Sequence, residues 1–247
     1  VVRVKDGAKP SIKLGKKDFA ITSFRPTVWI KMGFLYIPIF WKSFERTEVG
    51  PILPISWIKG EKLLLRWTTY HVKSSPLPSG WGLMTAKTTK DADKALQGWS
   101  VPCWNFVFAD TKGNIGYRQV GLIAHRKNGT RGLLDPTQPG QHWNGFLTHS
   151  EMPFLANPKR GYIATANNNA FPPQYPLFLG HAYSLGHRGK RIETLLTQKP
   201  KLSLDDFKKI QLDVHVPMAD VLLPLMLQLI KKGKVPFSAK AQQALYL

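Results

Sequence analysis

One cysteine, Cys103, stands in 247 residues, which excludes any disulfide within the chain and leaves the redox compartment open. Its setting, VPCWNFVFAD, reads as the entry to an apolar strand, with Cys103 as a small core hydrophobe. Acidic residues are the second scarcity: 15 Asp and Glu face 35 Lys and Arg, a formal net charge of +20. Such a charge concentrates anions around the molecule. The basic residues are nevertheless scattered, and no nucleic-acid-binding motif surrounds them, so no nucleic-acid partner is expected. Asp205 and Asp206 are helix-start carboxylates and not a catalytic pair. The seven histidines show no HExxH or comparable metal spacing. Long apolar runs are missing too. Val28 to Trp41 is broken by Lys31, Gly33 and Pro38, and VPMADVLLPLMLQLIKK is interrupted by Pro224, so no membrane span is expected and the second stretch reads as a buried helix.

What is present suffices for a folded domain: 43% of residues are hydrophobic and 20% charged. Alternation up to about Trp41 predicts strands at the margin of a sheet, and KLLLRWTTYHV is strand-like. Helical spacing predicts a helix over 84–99, stopped at Gly98. A hairpin follows, with arms at Asn105 to Ala109 and Ile115 to Ala124 joined by turn residues Asp110 to Asn114. The Gly-, Pro- and Asn-rich run 128–146 is a long loop. Helix signals resume at Arg188, and Ser203 is placed to cap a helix carrying Asp205 and Asp206 in its first turn.

Two segments carry the chemistry. GYIATANNN, 161–169, reads as a short strand running into three consecutive asparagines, and GHRGKRIETLL, 186–196, opens a helix with a basic cluster. An Asn amide offers neutral N–H donors that can stabilise an oxyanion, one donor being worth about 3 kcal/mol of barrier. Asparagine runs also build turns, because the side chain bonds its own backbone and tolerates left-handed geometry.

Order along the chain adds to this. NFVFADTKGNIGY, LLDPTQPG, GYIATANNN and HRGKRIETLLTQKPKLSLDDF, preceded by ERTEVGPIL and LLLRWTTYH, together resemble the penicillin amidase family from about Glu45 onward. The resemblance implies an α+β fold, part of a four-layer αββα sandwich of the N-terminal-nucleophile hydrolases. It implies cleavage of an acyl amide to a carboxylate and an amine. In that family a processed β-subunit starts with the catalytic serine, whereas this chain starts VVRVKDGAKP. The expectation is therefore that residues 1–247 form a partial β-subunit domain, an internal fragment without the nucleophile segment and the carboxy-terminal remainder. Its partners would be the α-subunit and the amino-terminal β-segment, its substrate a small acyl amide, and its location periplasmic or extracytoplasmic.

Residue by residue, the resemblance assigns the oxyanion-hole asparagine to Asn167 and the active-site arginine to Arg188, leaving Asn168 and Asn169 as turn formers. No cofactor is required. Asp135 and Pro136 match the segment near which some members hold calcium, but QYPLFLGHAY carries no acidic residue for the second part of that site. Val49 departs from the histidine usual before Gly-Pro. A second reading of the residues stays open: a catalytically inert basic domain attaching to an anionic surface.

Overall fold

Turn chemistry shapes the fold locally, and one hairpin illustrates it. In the computed structural model, Asp110 Oδ1 accepts from the backbone N–H groups of Lys112 and Asn114, both at 3.0 Å, and Gly113 takes φ +85°. That clamp reverses the chain between two six-residue strands, Trp104–Ala109 and Ile115–Val120. The structure describes residues 4–5, 11–14, 16–40, 43–55, 62–73, 75–126, 132–135, 138, 143–169, 171, 174–180, 182–233 and 238–244.

In chain order the strands are β1 (Val4–Lys5), β2 (Ser11–Leu14), β3 (Lys17–Ala20), β4 (Thr22–Phe24), β5 (Thr27–Met32), β6 (Leu35–Phe40), β7 (Phe44–Thr47), β8 (Gly50–Leu53), β9 (Leu63–Leu64), β10 (Trp104–Ala109), β11 (Ile115–Val120), β12 (Ala124–Arg126), β13 (Trp143–Phe146) and β14 (Phe154–Ala156). The helices are α1 (Leu77–Thr85), α2 (Thr89–Ala95), α3 (His187–Leu196), α4 (Leu204–Gln211), α5 (Pro217–Lys231) and α6 (Ala239–Ala244). The described strands pair antiparallel in the orders β1-β2-β3, β4-β7-β8-β9, β5-β6, β10-β11-β14 and β12-β13.

Two compact units emerge. The first comprises 1–163 with 173–181 and holds every described strand together with α1 and α2; the second comprises 164–172 with 182–247 and holds α3 to α6. In the first unit, Ile12, Ile21 and Ile52 form one apolar cluster, joined by Leu14 and Leu64. Ile123, Leu147 and Met152 form another, covered by Leu177 and Leu179. Gly50 makes a close approach possible: a Cβ there would fall 2.0 Å from the Leu65 carbonyl oxygen, which ties the Glu45–Leu53 motif to the Leu63–His71 motif. Val49 is buried beside it, its N–H donating to Thr47 Oγ1 at 3.2 Å.

A non-local ion pair fastens α2 to β11. Arg118 is only 5% exposed, and its Nε and Nη2 donate to the two carboxylate oxygens of Asp93 at 2.6 and 2.9 Å. Its Nη1 reaches the carbonyls of His149 and Met152, each at 3.1 Å.

Several sequence expectations change. The helix foreseen over 84–99 is split, because α1 ends at Thr85 and Thr88 caps the start of α2 with a capping box closed by Asp91. KLLLRWTTYHV supplies only the two-residue β9 before a 3₁₀ turn at Thr68–His71. Gly121 ends β11 before Ala124, and the foreseen loop closes with β13 at 143–146; residues 128–131, 136–137 and 139–142 of it lie outside the description. Cys103 is exposed and not in the core, its Sγ turned toward the Leu122 carbonyl at 3.7 Å. The helix read as buried, α5, exposes Val221, Leu222, Leu225 and Leu229, because α3 packs against it and leaves much of its surface open. The capping box at Ser203 matches expectation, with Asp206 accepting from the Ser203 N–H at 2.9 Å. No described helix is long and apolar enough to cross a membrane.

Candidate active site

GYIATANNN does not form the short strand its β-branched residues suggested. The segment has no ladder partner until Asn168, which bridges Ser184 in parallel. What fixes it is a set of bonds inside the second unit. The Ser184 N–H donates to the Asn167 carbonyl at 2.8 Å, and Ser184 Oγ donates to the Ala166 carbonyl at 3.0 Å. Ala166 is buried, which anchors the segment.

The three asparagines divide their work. Asn169 Oδ1 accepts from the Phe171 N–H at 3.1 Å, a turn closed by its own side chain. Asn168 Oδ1 accepts from the Ala166 N–H at 3.0 Å. Asn167 takes the left-handed backbone, φ +59°, and its side chain is exposed. Asparagine is among the few side-chain-bearing residues that adopt this geometry readily.

Gly186, at φ +85°, turns the chain into α3, and Arg188 occupies the first turn of that helix. Its Nη2 donates to Asn167 Oδ1 at 2.7 Å and to the Ala166 carbonyl at 3.0 Å. The two residues singled out in the sequence are thus in direct contact. With Oδ1 held by a guanidinium, the amide has one orientation: Nδ2 and its two N–H groups face away, without a partner among the described residues. A cation on the oxygen end polarises the amide and strengthens its N–H donors. Chemically, the arrangement presents a fixed neutral donor beside a permanent positive charge.

Sequence reading missed Ser184, which locks both carbonyls of the Ala166–Asn167 segment, and Gly189, which packs against Asn168. A serine just before the Gly186 turn gave little local signal of this; its partner lies 18 residues back. Asp135, the carboxylate considered for calcium, lies in the first unit, and its neighbour Pro136 is outside the described residues. No group of three or more His, Cys, Asp or Glu among the described residues is placed to hold a metal ion.

Comparison with known proteins decides the family. The family model described as penicillin amidase matches residues 41–246. The chain belongs to the penicillin amidase family. Penicillin acylase 2 proenzyme of Pseudomonas sp. (strain SE83) is 27% identical over 216 residues, 86% of this chain and 28% of that protein. An acyl-homoserine lactone acylase, QuiP, of Pseudomonas aeruginosa is 32% identical over 142 residues, 49% of this chain and 16% of that protein. A solved thermostable penicillin G acylase from Alcaligenes faecalis shares the fold, with TM-score 0.64 and 18% identity over 96% of this chain and 42% of that one. The chain therefore spans well under half the length of these relatives. Its penicillin amidase membership fits the mixed helix-and-sheet architecture and accounts for the order of its motifs.

Proposed function

We propose that this chain is the oxyanion-stabilising part of a penicillin-amidase-type hydrolase that cleaves a linear acyl amide. Residues 1–247 form part of a β-subunit within a four-layer αββα sandwich, and the remaining catalytic parts come from an α-subunit and an amino-terminal β-segment of the same enzyme. The hydroxyl nucleophile, a serine of that segment, attacks the amide carbonyl carbon, and the carbonyl oxygen takes up the negative charge. Asn167 Nδ2 donates to that oxygen. Collapse of the tetrahedral species breaks the C–N bond and expels the amine, which takes up the proton given up by the attacking hydroxyl, and water then releases the acyl group as a carboxylate, restoring the hydroxyl. Arg188 is a positioning residue whose Nη2, on a planar and permanently charged guanidinium, holds the Asn167 amide.

The observation that carries this reading is the 2.7 Å bond from Arg188 to Asn167 Oδ1, which leaves Nδ2 as a directed donor. The names of the relatives, penicillin acylase and acyl-homoserine lactone acylase, support an acyl amide as the substrate class. The chain's location, as the family resemblance implies, is periplasmic or extracytoplasmic.

Amide hydrolysis by the native enzyme containing this chain, with Asn167→Gly as the variant, tests the assignment. Glycine accepts the left-handed backbone while removing the side chain that carries both Nδ2 and the acceptor of Arg188. A fall in kcat of about 10²- to 10³-fold with KM little changed is expected. Unchanged kcat overturns the role of Asn167. Absence of any amide turnover, with attachment to anionic surfaces intact, would favour the inert basic domain.

A further inference from the structure

Among the described residues, only three buried side-chain polar atoms have no hydrogen-bond partner, and two of them are Nε of Arg66 and Nε2 of His71. Both side chains lie against the ring of Trp143: the Arg66 guanidinium carbon is 4.4 Å from its centroid and the His71 ring 5.7 Å. Arg126 approaches the same ring at 5.7 Å and also lies 5.5 Å from Phe178. All belong to the first unit, and none is shared with the Asn167–Arg188 pair.

Two guanidiniums thus converge on one aromatic ring, and no carboxylate among the described residues pairs with either. Burial first, and the charge of Arg126 second, pull Arg66 below the ordinary arginine range. Burial and then Arg66 likewise lower His71. Arginine does not resolve such repulsion by losing its proton. The aromatic face offsets part of the cost through cation–π attraction, but a stacked guanidinium keeps its in-plane N–H donors directed outward. Water could satisfy those donors, yet it would leave two like charges uncancelled. A planar or tetrahedral oxyanion meets both needs, since it accepts forked bonds and supplies the missing negative charge.

We infer that Arg66, Arg126 and His71, gathered on Trp143, form a binding site for the oxyanion of a small molecule, a carboxylate or phosphate group. The neighbouring Phe146 ring, 5.3 Å from His71, gives the site an apolar wall, which suits an anion carried on an apolar body.

The test is a titration of the 247-residue chain with sodium phosphate, and separately with sodium acetate, at ionic strength held constant with sodium chloride. The readout is the Nε–Hε NMR signal of Arg66, assigned by its loss in Arg66→Lys. Saturable movement of that signal is expected, with the lower half-saturation concentration telling phosphate from carboxylate. Arg126→Gln should raise that concentration about tenfold, as expected for loss of one charge-assisted contact. A signal that moves no differently from the chloride control overturns the site. Equal saturation in folded Arg126→Gln also overturns it.

Discussion

Gly189 is the residue that makes room for Asn168: a Cβ at position 189 would stand 2.8 Å from Asn168 Oδ1 and 3.1 Å from its Cγ. The hydrogen-bonded asparagine and the helix backbone therefore touch without a spacer. Gly189→Ala adds helix propensity of about 1 kcal/mol, while overpacking a tight contact costs about 1–3 kcal/mol. Overpacking is expected to win. The variant should melt earlier by circular dichroism, and the Ala166 amide proton, whose acceptor is Asn168 Oδ1, should shift and exchange faster.

Arg188→Lys keeps the charge but loses the planar fork. Both contacts come from the one nitrogen Nη2, and a lysine ammonium, one bond shorter and not fixed in a guanidinium plane, does not reach that position in the same orientation. Amide turnover in the native enzyme should fall about tenfold or more, through kcat and not KM, as expected when orientation and not ground-state binding is lost. Wild-type kcat in Arg188→Lys would show that orientation does not depend on the fork.

Arg118→Leu removes one partner of a pair that is largely out of water and leaves Asp93 facing only His149. Breaking such a pair costs about 3–5 kcal/mol. Denaturant unfolding should show a loss of that order. Asp93→Asn combined with Arg118→Leu should recover part of it, because the stranded charge is then gone.

Acid should weaken the first unit in two stages. Burial, reinforced by the nearby Arg118 charge, lowers the His149 imidazole below its ordinary value, against the pull of Asp93. The unfolded chain therefore protonates at about pH 6.5 while the folded one resists, so stability falls as pH drops through and below that value. Burial pushes Asp93 up, but the hydrogen bond and charge of Arg118 hold it below the usual carboxylate range. Its contribution is present above about pH 3.9 and is lost as pH falls further, through the lowered folded value. Unfolding free energy measured from pH 7.5 down to 3 should decline along this course. His149→Gln should reduce the decline near pH 6, with His71 supplying the remainder.

What was legible in the sequence is local or carried by motif order. Ser203 with Asp206, and Asp110 with Asn114, lie within one turn of each other, so spacing alone indicates the contact. Asn167 and Arg188 were named through family resemblance, and their side chains do meet. The sequence reading treated turn-forming and donating as alternatives for the asparagine run. In Asn167 they coincide, since a left-handed backbone and a free amide nitrogen occur in one residue. The hidden features are long-range. Arg118 finds Asp93 across 25 residues, and Arg66 reaches Trp143 across still more. Propensity misled at Tyr162 to Thr165, where β-branched residues lacked a neighbouring strand to pair with.

The β5–β6 hairpin turns through Gly33 and Phe34, leaving Phe34 92% exposed at its tip and Trp29 and Met32 bare along it. With the open face of α5, these side chains would favour self-association on contact, and what keeps molecules apart is their mutual repulsion at +20. That repulsion reaches only about 10 Å in 0.1 M salt and about 3 Å at 1 M. The chain is thus a colloid whose dispersal depends on dilute buffer: light scattering should rise as sodium chloride is added, the reverse of a protein held apart by hydration alone.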